Sequence, residues 1–299
     1  MLSMLSVHPS AVFVWGGWGS SDRETPSMAT QAAEGTIGKG MAFIRLGDGP
    51  PLVFLPGLSA HHRPPTGLDR WVQIKEIEPF SRRHETWWLQ RPVGLDPDTT
   101  MSDLATNYAD ALHERFDVPV DVLGHSTGGS VALQLAADYP FAVRRLVLVS
   151  SGCRLGPGGR EAQLQIAGLL RRDKPRRAGA VVMSMLAAGT VSRLAMECIG
   201  WVLGAAVMGK GDPDLLATIN AEDAYDLTQR LDSIRMPVLL VGGERDAFYG
   251  GGVFEETASL LPYGRVVLCK GKGHMQAANP RVVREVLAFI EDAPGSDPN

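Results

Sequence analysis

The stretch Gly124-His125-Ser126-Thr127-Gly128-Gly129 decides how this chain is read, because the apolar run Val120-Asp121-Val122-Leu123 enters it and a helical pattern from Val131 to Tyr139 leaves it. A strand that ends and a helix that begins within so few residues force a tight turn, and a serine on that turn sits in a strained backbone conformation. Small residues are needed two positions to either side, and Gly124 and Gly128 fill those places. The spacing alone is a weak signal in a glycine-rich chain. The strand before it and the helix after it make Ser126 a candidate nucleophile.

Further apolar runs lie at Leu52-Val53-Phe54-Leu55, Thr86-Trp87-Trp88-Leu89, Leu146-Val147-Leu148-Val149, Val238-Leu239-Leu240-Val241 and Val266-Val267-Leu268-Cys269. Runs without alternation predict strands buried on both faces. Helical patterns separate several of them. One carries Met101, Leu104, Tyr108, Leu112 and Phe116 on a single stripe behind a capping box of Thr100 and Asp103. Another starts at Asn279-Pro280 and buries Val283, Val286, Leu287 and Ile290. This alternation predicts an α/β fold, a mostly parallel central sheet with helices on both faces.

The alternation breaks between 152 and 233, where the sequence is helical, Met-rich and Arg-rich behind the lead Leu155-Gly156-Pro157-Gly158-Gly159. An inserted helical cap is expected there. The expected division is an N-terminal extension over 1–40, a core in two parts over 41–151 and 234–292, the cap over 152–233, and a disordered tail over 293–299.

With 299 residues, 44% of them hydrophobic and 21% charged, the chain is long enough to bury a large core. A formal net charge of -4 gives no electrostatic reason to expect nucleic acid or an anionic membrane as the main partner, so a small-molecule substrate is the expectation. The cysteines Cys153, Cys198 and Cys269 are odd in number and lack metal-ligand spacing, which fits a reducing, cytoplasmic location and no metal site. The apolar stretch 11–18 has no basic residue before it and is interrupted by glycines, and it reads as an extension rather than a secretory signal. No run reaches the roughly 18 uncharged apolar residues of a membrane span.

A serine hydroxyl needs a base to take its proton, usually an imidazole oriented by a carboxylate. Val241-Gly242-Gly243-Glu244-Arg245-Asp246 leaves the penultimate strand and offers Asp246, and Lys270-Gly271-Lys272-Gly273-His274 leaves the last strand and offers His274. Both fall at C-terminal strand ends, where open α/β sheets gather their sites. The order Ser126, Asp246, His274, each just past a strand, resembles the α/β-hydrolase family over about Met41 to Glu291. The resemblance implies Ser126 as nucleophile, His274 as general base and acid, and Asp246 as the residue that orients it. Glu244 sits closer to its strand end and fits the acid less well.

An anionic tetrahedral intermediate calls for backbone donors, one after the nucleophile and one on the loop after an early strand. Those are the N–H groups of Thr127 and, on Leu55-Pro56-Gly57-Leu58, of Leu58. Many members of the family carry His-Gly where this chain has Pro56-Gly57, and Asp-x-Arg-Gly-x-Gly where it has Gln90-Arg91-Pro92-Val93-Gly94-Leu95. Since the donor is main chain, the first departure leaves the oxyanion hole possible, and the second implies a divergent subfamily whose substrate is not carried over. His125 reads as structural, and His61 and His62 as exposed loop histidines, with a place at the pocket mouth as the alternative for both. In the cap, Met183, Met185, Met196, Met208 and Trp201 read as packing between helices, with an adaptable lining for an apolar substrate as the alternative. The run Arg171, Arg172, Lys174, Arg176 and Arg177 reads as a solvated face, with attraction of an anionic substrate as the alternative.

The expected activity is hydrolysis of a small or medium apolar carboxylic ester or thioester through an acyl-enzyme on Ser126, with no cofactor. Acyl transfer and carbon–carbon bond hydrolysis use the same three side chains and stand as alternatives. A ligand-binding protein that keeps the fold without turnover is the alternative of another class.

Overall fold

A computed structural model of the chain describes residues 32–209, 211–275 and 279–292. The readings of 11–18 and of the tail 293–299 lie outside the described residues. The elements run β1 (Ala33–Ile37), β2 (Met41–Leu46), β3 (Pro51–Leu55), α1 (Gly67–Ile77), β4 (Glu85–Leu89), α2 (Met101–Arg115), β5 (Val120–His125), α3 (Thr127–Asp138) and β6 (Val143–Val149). They continue with α4 (Pro157–Arg171), α5 (Pro175–Leu186), α6 (Thr190–Met208), α7 (Pro213–Asp223), β7 (Val238–Gly243), α8 (Val253–Leu260), β8 (Gly264–Cys269) and α9 (Pro280–Glu291). Short 3-10 turns precede β6 and β7.

One eight-stranded sheet has the order β1-β2-β4-β3-β5-β6-β7-β8. From β4 to β8 every neighbouring pair is parallel, and only β1 with β2 and β2 with β4 are antiparallel. Alternate residues of each central strand feed two hydrophobic cores. Val53, Val122, Leu146, Leu148 and Leu240 pack with α2 and α3 on one face, while Phe54, Leu123, Val147, Val149, Leu239 and Val241 pack with α9 and Ile77 of α1 on the other. Burial on both faces is why these strands are unbroken apolar runs.

The sheet begins before residue 41, inside the stretch 1–40 read as an extension: Ala33 to Ile37 pair antiparallel with Arg45 to Met41. This edge strand is half-buried or exposed throughout and carries no apolar pattern to announce it.

Between β6 and β7, helices α4 to α7 build a small core of their own from Ile166, Leu170, Ala178, Met208, Leu215 and Ile219. The α5–α6 hairpin closes through glycine: a Cβ on Gly179 would stand 2.4 Å from Gly204 Cα and 2.7 Å from Gly200 O. A second cluster, Leu155, Ala162, Phe248, Tyr249, Val253 and Phe254, fastens the start of α4 to the loop after β7.

Candidate active site

Ser126 stands between β5 and α3 with φ 52° and ψ -125°, a conformation that costs of order 1–3 kcal/mol for a residue with a side chain. The turn holds because its flanks cannot be larger. A Cβ on Gly124 would come 2.5 Å from Gly128 O, and one on Gly128 would come 2.1 Å from Leu55 O. Ser126 N–H donates to Val149 O at 2.9 Å, tying the turn to the neighbouring strand.

Asp246 and His274 follow β7 and β8 and are almost fully buried. Asp246 Oδ1 accepts the N–H groups of Phe248 at 2.8 Å and Tyr249 at 3.1 Å, which fixes the carboxylate. His274 Nδ1–H donates to Asp246 Oδ2 at 2.9 Å, so Nε2 is left to accept the Ser126 hydroxyl at 2.8 Å. The three sequence-nominated side chains are thus brought into one continuous line. The loop after β8 is held by Ser150, whose hydroxyl donates to His274 O at 2.5 Å. Phe248 and Tyr249 flank the imidazole, with ring centroids 4.7 Å and 6.0 Å away. Glu244 lies apart from this line and accepts Gly271 N–H at 2.9 Å.

Thr127 is the first residue of α3, so its N–H has no partner within the helix. Leu58 follows Gly57, which lies against the nucleophile position: a Cβ on Gly57 would stand 3.4 Å from Ser126 Cβ. Thr127 thus adjoins Ser126 directly, and Leu58 adjoins the glycine that packs against it.

Two buried groups behind these residues have no counterpart in the sequence reading. Glu222 of α7 accepts from Thr127 Oγ1 at 2.8 Å, Ser130 Oγ at 2.8 Å, Tyr249 OH at 3.0 Å and Gln163 Nε2 at 2.7 Å. Four donors and the N-terminal end of α3 make a carboxylate tolerable there. Burial and this carboxylate hold the Tyr249 phenol well above its ordinary range. Arg91, also buried, sits behind the loop after β3. Neither was legible, because a Glu in a helix and an Arg in a loop carry no local mark of burial.

His62 is buried, contrary to its reading as an exposed loop residue, whereas His61 is exposed. Burial first, and then the Arg91 charge, hold the His62 imidazole down at about 3. His125 is buried beside the site, 6.1 Å from the His274 ring, and burial holds it near about 3 as well. Its Nδ1 lies 3.6 Å from Glu76 Oε1, too far for a hydrogen bond. Burial pushes the Glu76 carboxyl up to about 7. In the helical insertion, Met208 packs in its core and Met185 against the Phe248 cluster, as packing residues do. Trp201 is turned outward beneath the Arg176 guanidinium, 5.2 Å from the ring. Arg171, Arg172, Lys174, Arg176 and Arg177 are all exposed.

A family model described as the alpha/beta hydrolase family matches residues 52–286. The chain is similar to a polyketide synthase, ThaQ, of Burkholderia thailandensis, at 28% identity over 96% of this chain and 14% of that protein. It is 31% identical to a pimeloyl-acyl-carrier-protein methyl ester esterase of Neisseria meningitidis over 56% of this chain and 54% of the relative. The chain thus spans about half, or far less, of the length of these relatives. Among solved structures it is similar to an alpha/beta hydrolase enzyme from a Medee basin deep-sea metagenome library, with a TM-score of 0.73, 17% identity, and coverage of 85% of this chain and 94% of the other.

Proposed function

Because this chain belongs to the alpha/beta hydrolase family, we propose that it is an esterase-like serine hydrolase acting on a small or medium apolar carboxylic ester or thioester. Ser126 Oγ attacks the acyl carbon while its proton passes to His274 Nε2. Asp246 stabilises the imidazolium and holds the ring in the tautomer that accepts. The tetrahedral anion is met by the N–H groups of Leu58 and Thr127. As it collapses, the leaving group takes the proton from Nε2–H and departs, leaving an acyl-enzyme on Ser126. Water then attacks with His274 as base, and the carboxylic acid leaves. Helices α4 to α7, within 152–233, form the cap over a core made of the segments before and after them.

The observation that carries this reading is the unbroken contact from Asp246 through His274 to Ser126, at 2.9 Å and 2.8 Å. The strained φ of 52° at Ser126 supports it, since strain of that size persists where function requires it. The esterase named for the Neisseria relative supports the ester as substrate class.

A series of p-nitrophenyl esters of increasing acyl length tests the proposal. Turnover is expected to peak at a short or medium chain and to vanish in Ser126→Ala. Product analysis with added alcohol separates hydrolysis from acyl transfer. A folded wild-type chain that turns over no member of the series contradicts the esterase reading.

A further inference from the structure

The Arg91 guanidinium is fully buried, and its four hydrogen bonds all go to neutral acceptors. Nε donates to His62 Nε2 at 3.1 Å, Nη1 to Pro56 O at 3.0 Å, and Nη2 to Gly57 O at 2.7 Å and Ser59 Oγ at 3.4 Å. A cation taken out of water and held by carbonyls is costly to keep. Its surroundings are built to keep it. His62 Nδ1–H donates to Pro92 O at 2.8 Å, which leaves Nε2 bare to accept from Arg91. Gln90 Oε1 accepts the Arg91 N–H at 3.0 Å, and Gln90 Nε2 donates to Ser59 Oγ at 3.1 Å.

The two carbonyls that Arg91 grips belong to the loop beside Ser126. Gly57 O and the Leu58 N–H are parts of one trans peptide unit, in which the carbonyl and the N–H point in opposite directions. Fixing the carbonyl on Arg91 therefore aims the Leu58 N–H away from it. Donation to the carbonyl also polarises the same amide and strengthens its N–H as a donor. Resting on the reading of Ser126 as nucleophile, we infer that Arg91 is a positioning residue that aims and polarises the Leu58 N–H toward the anion formed at the acyl carbon. The buried positive charge behind that amide adds to the stabilisation of the anion. Arg91 thereby secures a loop that carries proline where relatives carry histidine.

Arg91→Lys keeps a cation but loses the parallel pair of donors, and Gln90→Leu loosens the loop through Ser59 while leaving the guanidinium in place. On a p-nitrophenyl ester, Arg91→Lys is expected to lower kcat by about 10²-fold, the size of losing one such donor, with KM nearly unchanged. Affinity for an alkyl boronic acid, which adds to a serine as a tetrahedral anion, is expected to fall in parallel with kcat/KM. Gln90→Leu gives a smaller loss of the same kind. A purely structural role would lower the melting temperature and leave the kcat and boronate affinity of the folded enzyme unmoved. Folded Arg91→Lys with both quantities within about threefold of wild type overturns the inference, as does the same result for Arg91→Met, a neutral side chain of similar length without the donors, should Arg91→Lys fail to fold. Wild type that neither turns over ester nor binds boronate removes the nucleophile reading, and the inference with it.

Discussion

Ser126 combines a proposed nucleophilic role with a strained backbone, and substitution separates them. At φ 52° and ψ -125°, Ser126→Ala keeps the backbone strain, whereas Ser126→Gly releases it. Both variants are expected to be inactive, with the glycine variant more stable by about 1 kcal/mol in urea unfolding. Equal stabilities would mean that the turn is relaxed. Asp246→Asn retains an oxygen for the Phe248 and Tyr249 N–H groups but turns an amide toward His274 Nδ1, favouring the wrong imidazole tautomer. Its kcat is expected to drop by about 10⁴-fold with little change in melting. A loss under tenfold would remove Asp246 as the orienting acid. Ser126, Asp246 and His274 were legible because each follows an apolar run that reads as a strand, so topology gathers them at one edge of the sheet. Arg91, Glu222 and the inward turn of His62 were not legible. Identical letters at 61 and 62 point one to solvent and the other to Arg91, and only the packed loop decides which.

The strand–turn–helix from β5 to α3 depends on close backbone contact. A methyl group at Gly128 would stand 2.1 Å from Leu55 O, on the strand that leads into the Leu58 loop, and neither backbone has room to retreat. Gly128→Ala is expected to lose more than the 1–3 kcal/mol typical of overpacking, read as a lower urea midpoint or insoluble protein. Wild-type stability there would show that the turn can open. Far from the site, α2 is capped by Thr100, which accepts from Asp103 N at 3.1 Å while Asp103 Oδ2 accepts Thr100 N–H at 2.9 Å. Thr100→Ala is expected to cost about 1 kcal/mol and leave kcat unchanged. This cap and the central strands could be read in advance, since capping residues and doubly buried strands are local patterns. The edge strand β1 and the helix α1 could not. Three of five β1 residues are exposed, and α1 buries fully only Ile77, so neither displays a periodic apolar signal.

Proton balance couples the buried groups to the stability of the whole chain. His62 and His125 are held at about 3 against an ordinary 6.5, so below 6.5 only the unfolded chain binds these protons, and stability is lost as pH falls toward 3. Glu76, pushed up to about 7 from 4.5, acts in the opposite sense: its contribution is full below 4.5 and is lost as pH rises through 7. Between 4.5 and 6.5 these three groups together therefore bind about one proton more in the unfolded chain than in the folded one, and His84, which burial also holds below its ordinary value, adds in the same sense. Unfolding free energy from urea titrations is expected to fall by at least about 1.4 kcal/mol per unit of acidification across that window. A flat profile would mean that the two imidazoles are not shielded. Among the described residues no helix is long and apolar enough to cross a membrane, and the insertion of α4 to α7 joins the core through Glu222, Tyr249 and Thr127. In the proposed mechanism all of this architecture serves one hydroxyl, that of Ser126, with His274 as its base. Incubation with a fluorophosphonate followed by peptide mass spectrometry reads that reactivity directly. A single adduct on the peptide containing Ser126, formed rapidly in wild type and strongly slowed in His274→Ala, is the expected result. An unmodified Ser126 in folded protein, or labelling at the same rate without His274, would contradict it.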